Sequence, residues 1–344
     1  MTNSMKIENL VRDNIRSLSP YSTARDEYQG GIGMFLDANE NPYDNGVNRY
    51  PDPRQRALKA RLAQIKGVDV KNIFIGNGSD EPIDLVFRVF CEPRIDNAVS
   101  MAPTYGMYRV AAATNDVEMV EVQLEEDFSL DPRKLLAAAD RHTKLIFLCS
   151  PNNPTSNSIP REQIVEVLEN FGGMVVLDEA YIDFSERKSM LPELAKYPNL
   201  IILQTLSKAW GMAGLRLGLA YATEYVVELF SRVKYPYNIN VVTQQMVLDR
   251  LSQPIDGHVR EILAQRGEVV KAISKLPVVK HVYPSDANFI LARFDDPREV
   301  YRLLVDAGVI VRDRSGIRGC EGCLRITIGT PEENRKLVDI LSKL

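Results

Sequence analysis

From about Asp69 onward, apolar residues fall in short runs bounded by glycine, proline and acidic residues. The runs Ile73–Ile75, Leu145–Leu148, Val175–Leu177, Ile201–Leu203 and Leu217–Tyr221 are too short for helices and rich in branched side chains, so they predict buried strands. Amphipathic stretches between them, such as Pro82–Phe90 and Arg161–Asn170, predict helices. Strand and helix in alternation mark an α/β architecture. Runs apolar at successive positions suit a sheet covered on both faces. Towards the C-terminus the pattern changes. Asn288–Ala292, Val309–Val311 and Arg325–Ile328 read as strands, and Pro297–Ala307 and Pro331–Leu344 as helices, which predicts a smaller α+β domain. The expected division is a large domain over 45–255 and a small one built from 1–44 together with 256–344.

Composition narrows the class without naming it. The 344 residues are 45% hydrophobic and 26% charged, ordinary for a globular protein. A net charge of -4 leaves no electrostatic footprint for nucleic acid or an anionic membrane surface. No apolar run reaches the roughly 18 residues a membrane span requires. The opening MTNSMKIENLVRDNIRSL mixes acids and bases and lacks the apolar core of a signal peptide, so a cytoplasmic location is expected. Four cysteines (Cys91, Cys149, Cys320 and Cys323) are too few for a disulfide framework. Cys320 and Cys323 form a lone CxxC without a second pair, and the three histidines are scattered, so no metal site is expected. Gly31–Ile32–Gly33 begins like a dinucleotide fingerprint, but Leu36 stands where the third glycine belongs.

The candidate chemistry sits at predicted strand ends, where open α/β sheets place their ligands. Lys208 follows the apolar run Leu200–Leu203 through Thr205 and Ser207, and Arg216 comes eight residues later. Hydroxyls and a guanidinium in that order suit a phosphate dianion. Asp178 closes the run Met174–Leu177; a carboxylate there is costly to bury unless a cation partners it. Tyr181 lies three residues on, and Asn153 stands in the loop after Leu145–Leu148. Gly76–Asn77–Gly78–Ser79–Asp80 precedes the predicted helix, so backbone N–H groups there can face an anion. Tyr105 offers an aromatic face. Singly, each of these residues is more often a turn, a cap or a packed ring. Jointly they meet the demands of one cofactor, pyridoxal 5'-phosphate (PLP): a lysine for the aldehyde, an acid for the pyridine nitrogen, donors for the phenolic oxygen and a cup for the phosphate.

These segments resemble the fold-type I PLP-dependent aminotransferases. Thr205–Leu206–Ser207–Lys208–Ala209 with Gly211 and Gly214 is similar to the lysine signature of the class II group. Leu36–Pro42, Arg49–Pro53, the GNGSDEP run, Pro103–Tyr108 and Leu324–Asn334 together resemble the histidinol-phosphate aminotransferase family, in order and over nearly the whole chain. The resemblance implies a mostly parallel seven-stranded sheet flanked by helices, plus the smaller α+β domain. It implies Lys208 as the Schiff-base lysine and proton shuttle, Asp178 as partner of the pyridine nitrogen, and Asn153 and Tyr181 at the phenolic oxygen. Ser79, Asp80, Ser207 and Arg216 would hold the cofactor phosphate, beside Thr205 and Tyr105. Tyr50 would reach the neighbouring site of a homodimer. Arg325 would clamp the carboxylate of glutamate and, with Arg312, the phosphate of the alternative substrate, near Tyr21 and Asn39. The implied reaction is ping-pong transfer of an amino group between L-histidinol phosphate and 2-oxoglutarate. An aromatic aminotransferase and a threonine-phosphate decarboxylase share most of these motifs. Two departures lie on the substrate side: Asp37 stands where asparagine is common, and the loop Ile317–Gly322 matches no family pattern.

Overall fold

A computed structural model describes residues 7–21, 24 and 33–344. Gly31 and Ile32 of the false fingerprint lie outside the described residues. Seven strands form the larger sheet: β1 (Ile73–Asn77), β2 (Asn97–Ala102), β3 (Glu118–Gln123), β4 (Thr143–Cys149), β5 (Met174–Asp178), β6 (Leu200–Thr205) and β7 (Leu217–Tyr221). Their order is β1-β7-β6-β5-β4-β2-β3. All pairings are parallel except those β7 makes with β1 and β6.

The two-residue period of a strand explains how this sheet is held. Along β1, β4, β5 and β6, alternate residues divide between two apolar cores on opposite faces. Ile73, Ile75, Ile146, Leu148, Val175, Leu177, Leu200 and Ile202 enter one core. Phe74, Leu145, Phe147, Met174, Val176, Ile201 and Leu203 enter the other. Burying each such side chain contributes about 1.5–3 kcal/mol, so strands apolar at every position are stable only between two layers of helices.

Four further strands, β8 (Val279–Val282), β9 (Phe289–Phe294), β10 (Arg312–Asp313) and β11 (Cys323–Thr327), make an antiparallel sheet ordered β10-β11-β9-β8. Helices Asp256–Ile273, Pro297–Asp306 and Pro331–Leu341 share its apolar core. The last helix is fixed at its start by a reciprocal capping box between Thr330 and Glu333.

Several expectations change. The strand expected at Val309–Val311 is absent from the ladder: the Val309 N–H closes the preceding helix on the Leu304 carbonyl, Gly308 turns with φ +74°, and pairing starts only at Arg312. The apolar side chains Val309 and Val311 still pack on the core, which is what gives them a strand-like look in sequence. Strands β2, β3 and β8 have no counterpart among the predicted runs: β2 carries alanine, serine and methionine, and β3 is a half-solvated edge with two glutamates. Ile7, Val11 and Ile15, expected with the smaller domain, pack instead in the core of the large sheet, where the Arg12 N–H donates to the Val89 carbonyl.

Candidate active site

The parallel strands β4, β5 and β6 end together, with Cys149 opposite Asp178 and Asp178 opposite Leu203 in register. A cleft of about 420 Å³ opens beyond these ends and is lined by Ser79, Asp80, Tyr105, Asn153, Asp178, Tyr181, Thr205, Ser207, Lys208, Arg216, Arg312 and Arg325, together with Arg314. Twelve residues singled out in the sequence thus meet in one place. Tyr50, Tyr21 and Asn39 do not join them. Tyr50 stacks on Tyr237 with ring centroids 4.4 Å apart and lines a separate depression that also contains Asn39. Tyr21 is 74% exposed.

Asp178 is buried at 3% exposure at the floor of the cleft. Its Oδ2 accepts from the Tyr108 hydroxyl at 2.7 Å and its Oδ1 from the Ala180 N–H at 3.0 Å. Both donors are neutral, and burial raises the carboxyl pKa above its ordinary value even though these hydrogen bonds pull it down. A buried carboxylate held this way is poised for a cation, and a protonated pyridine nitrogen is one. Tyr108 is a contributor that sequence reading passes over. It sits three residues after Tyr105 at the start of helix Met107–Thr114, fully buried and stacked on Phe147, and so looks like a core ring. Only its hydroxyl, which needs an acceptor when buried, signals a polar neighbour.

Lys208 follows β6 through a turn closed by the Gly211 N–H on the Lys208 carbonyl at 3.0 Å, with Gly211 at φ +64°. Its ammonium lies 5.6 Å from the Tyr181 ring centroid. Burial lowers its pKa, and Arg325 nearby lowers it further, against the opposing pull of Asp178. The neutral amine that nucleophilic attack and proton abstraction require is therefore more accessible than on a free lysine.

The phosphate cup is built by close backbone packing. Gly78 has φ +69°, and its N–H donates to the Arg216 carbonyl at 2.7 Å. A Cβ on Gly218 of β7 would meet the Gly78 carbonyl carbon at 2.2 Å, so glycine is obligatory there. This approach sets the start of helix Asp80–Phe90, with its N-terminal N–H groups, beside Arg216. Arg216 Nη2 lies 3.6 Å from Asp80 Oδ2, and Asp80 Oδ1 accepts from the Tyr105 hydroxyl at 3.2 Å. The Thr205 hydroxyl and the Ser207 backbone complete the rim, the Ser207 N–H donating to Thr205 Oγ1 at 3.1 Å. An acid at depth, a lysine above it, tyrosine beside it and an anion cup at one end match the donor set of PLP.

On the opposite wall Arg325 Nη1 donates to Asn153 Oδ1 at 2.5 Å, and the guanidinium lies 5.2 Å from the Phe289 ring centroid. Tyr181 is buried edge-on to Phe289, and that burial raises its hydroxyl pKa. Cys320 and Cys323 are both buried thiols outside the cleft lining; burial pushes Cys320 up to about 12 and Cys323 in the same direction, away from the thiolate form that nucleophilic or metal-binding roles need.

Comparison with known proteins agrees with this geometry. The family model described as aminotransferase class I and II matches residues 36–341. Histidinol-phosphate aminotransferase of Parabacteroides distasonis is 52% identical over 340 residues, covering 98% of this chain and 99% of that protein. That of Bacteroides fragilis is 53% identical over 340 residues, with 98% and 99% covered. The crystal structure of histidinol-phosphate aminotransferase from Sinorhizobium meliloti in complex with pyridoxal-5'-phosphate superposes with a TM-score of 0.79 at 25% identity, covering 86% of this chain and 82% of that one. The chain belongs to the class I and II aminotransferases and, within them, to the histidinol-phosphate aminotransferase family.

Proposed function

We propose that this chain moves an amino group between L-histidinol phosphate and 2-oxoglutarate, yielding imidazole acetol phosphate and glutamate, in histidine biosynthesis in the cytoplasm. The observation that carries the reading is the meeting of Lys208, Asp178, the Gly78–Asp80 cup and an arginine wall in one cleft, in a chain about half identical to relatives of that name. Bound there, PLP supplies an electron sink for the pair released when the substrate's Cα–H bond breaks, and a carrier for the amino group.

The residues divide the work. Ser79, Asp80, Thr205, Ser207 and Arg216 hold the cofactor phosphate, with Ser79 and Asp80 acting partly through backbone N–H. Asp178 holds a proton on the pyridine nitrogen, Tyr105 covers the ring, and Asn153 with Tyr181 holds the phenolic oxygen. Lys208 anchors the aldehyde carbon. When not engaged in that anchoring, its Nζ would take the proton from the substrate Cα, so one residue would serve as anchor and general base. Arg325 and Arg312 bind the anionic end of either substrate. The first unit, around 45–255, carries the cofactor, and the second, from 256, brings the arginine wall.

The test is direct. Purified protein carrying the cofactor should lose its visible absorption band on mixing with L-histidinol phosphate and regain it with 2-oxoglutarate, glutamate appearing in step. A response to phenylalanine or tyrosine alone would assign the aromatic group, carbon dioxide release a decarboxylase, and no cofactor band at all would end the reading.

The active form is a homodimer in which Tyr50 completes the partner's site; its absence from the lining of its own chain's cleft supports this. Tyr50→Ala and Lys208→Ala should each depress activity strongly as pure dimers. Co-expressed, the hybrid regains one intact site, and roughly half the activity per hybrid returns. No recovery in the isolated hybrid would mean that Tyr50 serves its own chain's site or none.

A further inference from the structure

The arginine wall holds one cation more than the reading above uses. Arg312 and Arg325 are direct cross-strand partners on β10 and β11. Arg314 follows Arg312 by two residues, and its N–H donates to the Cys323 carbonyl at 3.0 Å, so the chain stays paired there. A spacing of two returns a side chain to the same face, and all three arginines line the cleft. Asp313 lies between them in sequence, its Oδ1 engaged by the N–H and hydroxyl of Ser315.

This grouping is costly as it stands. Like charges opposite each other on paired strands repel. Burial lowers the pKa of Arg314, and Arg325 and Arg312 lower it further. Among the described residues, no carboxylate lies within 4 Å of any of the three guanidiniums. The Arg314 Nε is buried with no hydrogen-bond partner. Arg325 has already committed one N–H to Asn153.

The two substrates differ in what they offer such a wall. A carboxylate of glutamate brings one charge and two oxygens, which a single guanidinium can satisfy in a fork. A phosphate monoester brings about −1.5 to −2 charges and three acceptor oxygens. A third guanidinium therefore has more to gain from a phosphate than from a carboxylate. We propose that Arg314 is a specificity-determining residue that binds the substrate's phosphate group and favours phosphorylated over carboxylate substrates. This rests on the proposed reaction, and the experiment separates the two.

The holoenzymes of wild type, Arg314→Gln, Arg314→Lys and a charge control, Arg318→Gln, whose side chain is exposed and outside the cleft lining, are compared. For Arg314→Gln the KM for L-histidinol phosphate should rise about tenfold or more, while that for glutamate rises less than about threefold. Inorganic phosphate, assayed as a competitive inhibitor against glutamate, should weaken by a similar factor, with partial recovery in Arg314→Lys. Arg318→Gln should follow wild type. Equal rises for both substrates, or a phosphate inhibition constant within twofold of wild type, would overturn the proposal. Should Arg314→Gln fold poorly by its melting curve, Arg314→Lys carries the same comparison. If wild type ignored L-histidinol phosphate yet phosphate inhibition still depended on Arg314, the reaction assigned above would fall and the arginine's role would stand.

Discussion

Lys208→Ala should lower kcat for amino transfer by at least about 10⁴-fold, because the change removes both a nucleophile and a general base, the latter alone contributing typically 10²–10⁴-fold. The other proposed holders (Asp178, Arg216, Ser79 and Asp80) remain in the cleft, so the variant should still take up PLP. Its absorption band should shift, since the link to the lysine is gone, and the cofactor should be lost on dialysis far faster than from wild type. The depressed lysine pKa adds a pH expectation. In the cofactor-free chain the lowered pKa leaves Lys208 as the reactive free amine at lower pH than an ordinary lysine, so the rate at which added PLP forms its link to the lysine should hold up further into the acid range. A small amine such as methylamine should restore part of the activity of Lys208→Ala, with dependence on the pH at which that amine loses its own proton. Activity in the alanine variant within tenfold of wild type would remove Lys208 from the mechanism.

Why Lys208 and Asp178 are legible in the sequence, while other parts of the site are not, has a physical basis. Asp178 closes a run apolar at every position and Lys208 lies in the turn just after another, and such runs are buried strands whose ends share one edge of a parallel sheet. A polar residue at that point is displayed to a cleft by topology alone. Gly76–Pro82 is legible because only glycine permits the backbone approach between Gly78 and Gly218. Tyr108 is hidden because its ring packs as a core residue and its one polar atom reaches Asp178, 70 positions away. Arg314 is hidden for the opposite reason: a charged residue in a polar, glycine-containing loop looks solvated until the pairing of β10 with β11 fixes which face it shares. In the fold itself, strand runs of Val, Ile and Leu stand out, whereas β2, filled by Ala, Ser and Met, depends on its neighbours β3 and β4 to be extended at all. Tyr50 is legible only through the family resemblance, since no run or spacing within the chain points a side chain at a second copy.

Asp178→Asn should separate catalysis from stability in opposite directions. The amide keeps the shape of the carboxylate but cannot hold a proton on the pyridine nitrogen, so kcat should fall by about 10³-fold, in the range found when one preorganised electrostatic partner is removed. The cofactor-free protein should, by contrast, gain stability at neutral pH. Burial raises the Asp178 pKa in the folded chain, so the ionised form is favoured less there than in the unfolded chain. Between the ordinary carboxylate value and the raised one, the folded state binds more protons, and stability falls as pH rises through that window. Above it the full cost persists; below it the cost is gone. The melting temperature of cofactor-free Asp178→Asn should thus exceed that of wild type at pH 7, and the gap should close as pH falls towards about 4, where an unperturbed aspartate takes up its proton. The Tyr108 hydroxyl then donates to a neutral acceptor, and the hydrogen bond loses the strengthening that charge gives it, which trims the gain without reversing it. Adding PLP should invert the order, because only the carboxylate meets the pyridinium with an opposite charge. A cofactor-free asparagine variant that melts below wild type at neutral pH would show that Asp178 is already satisfied by Tyr108 and Ala180, and that the buried charge is not held in waiting for a cation.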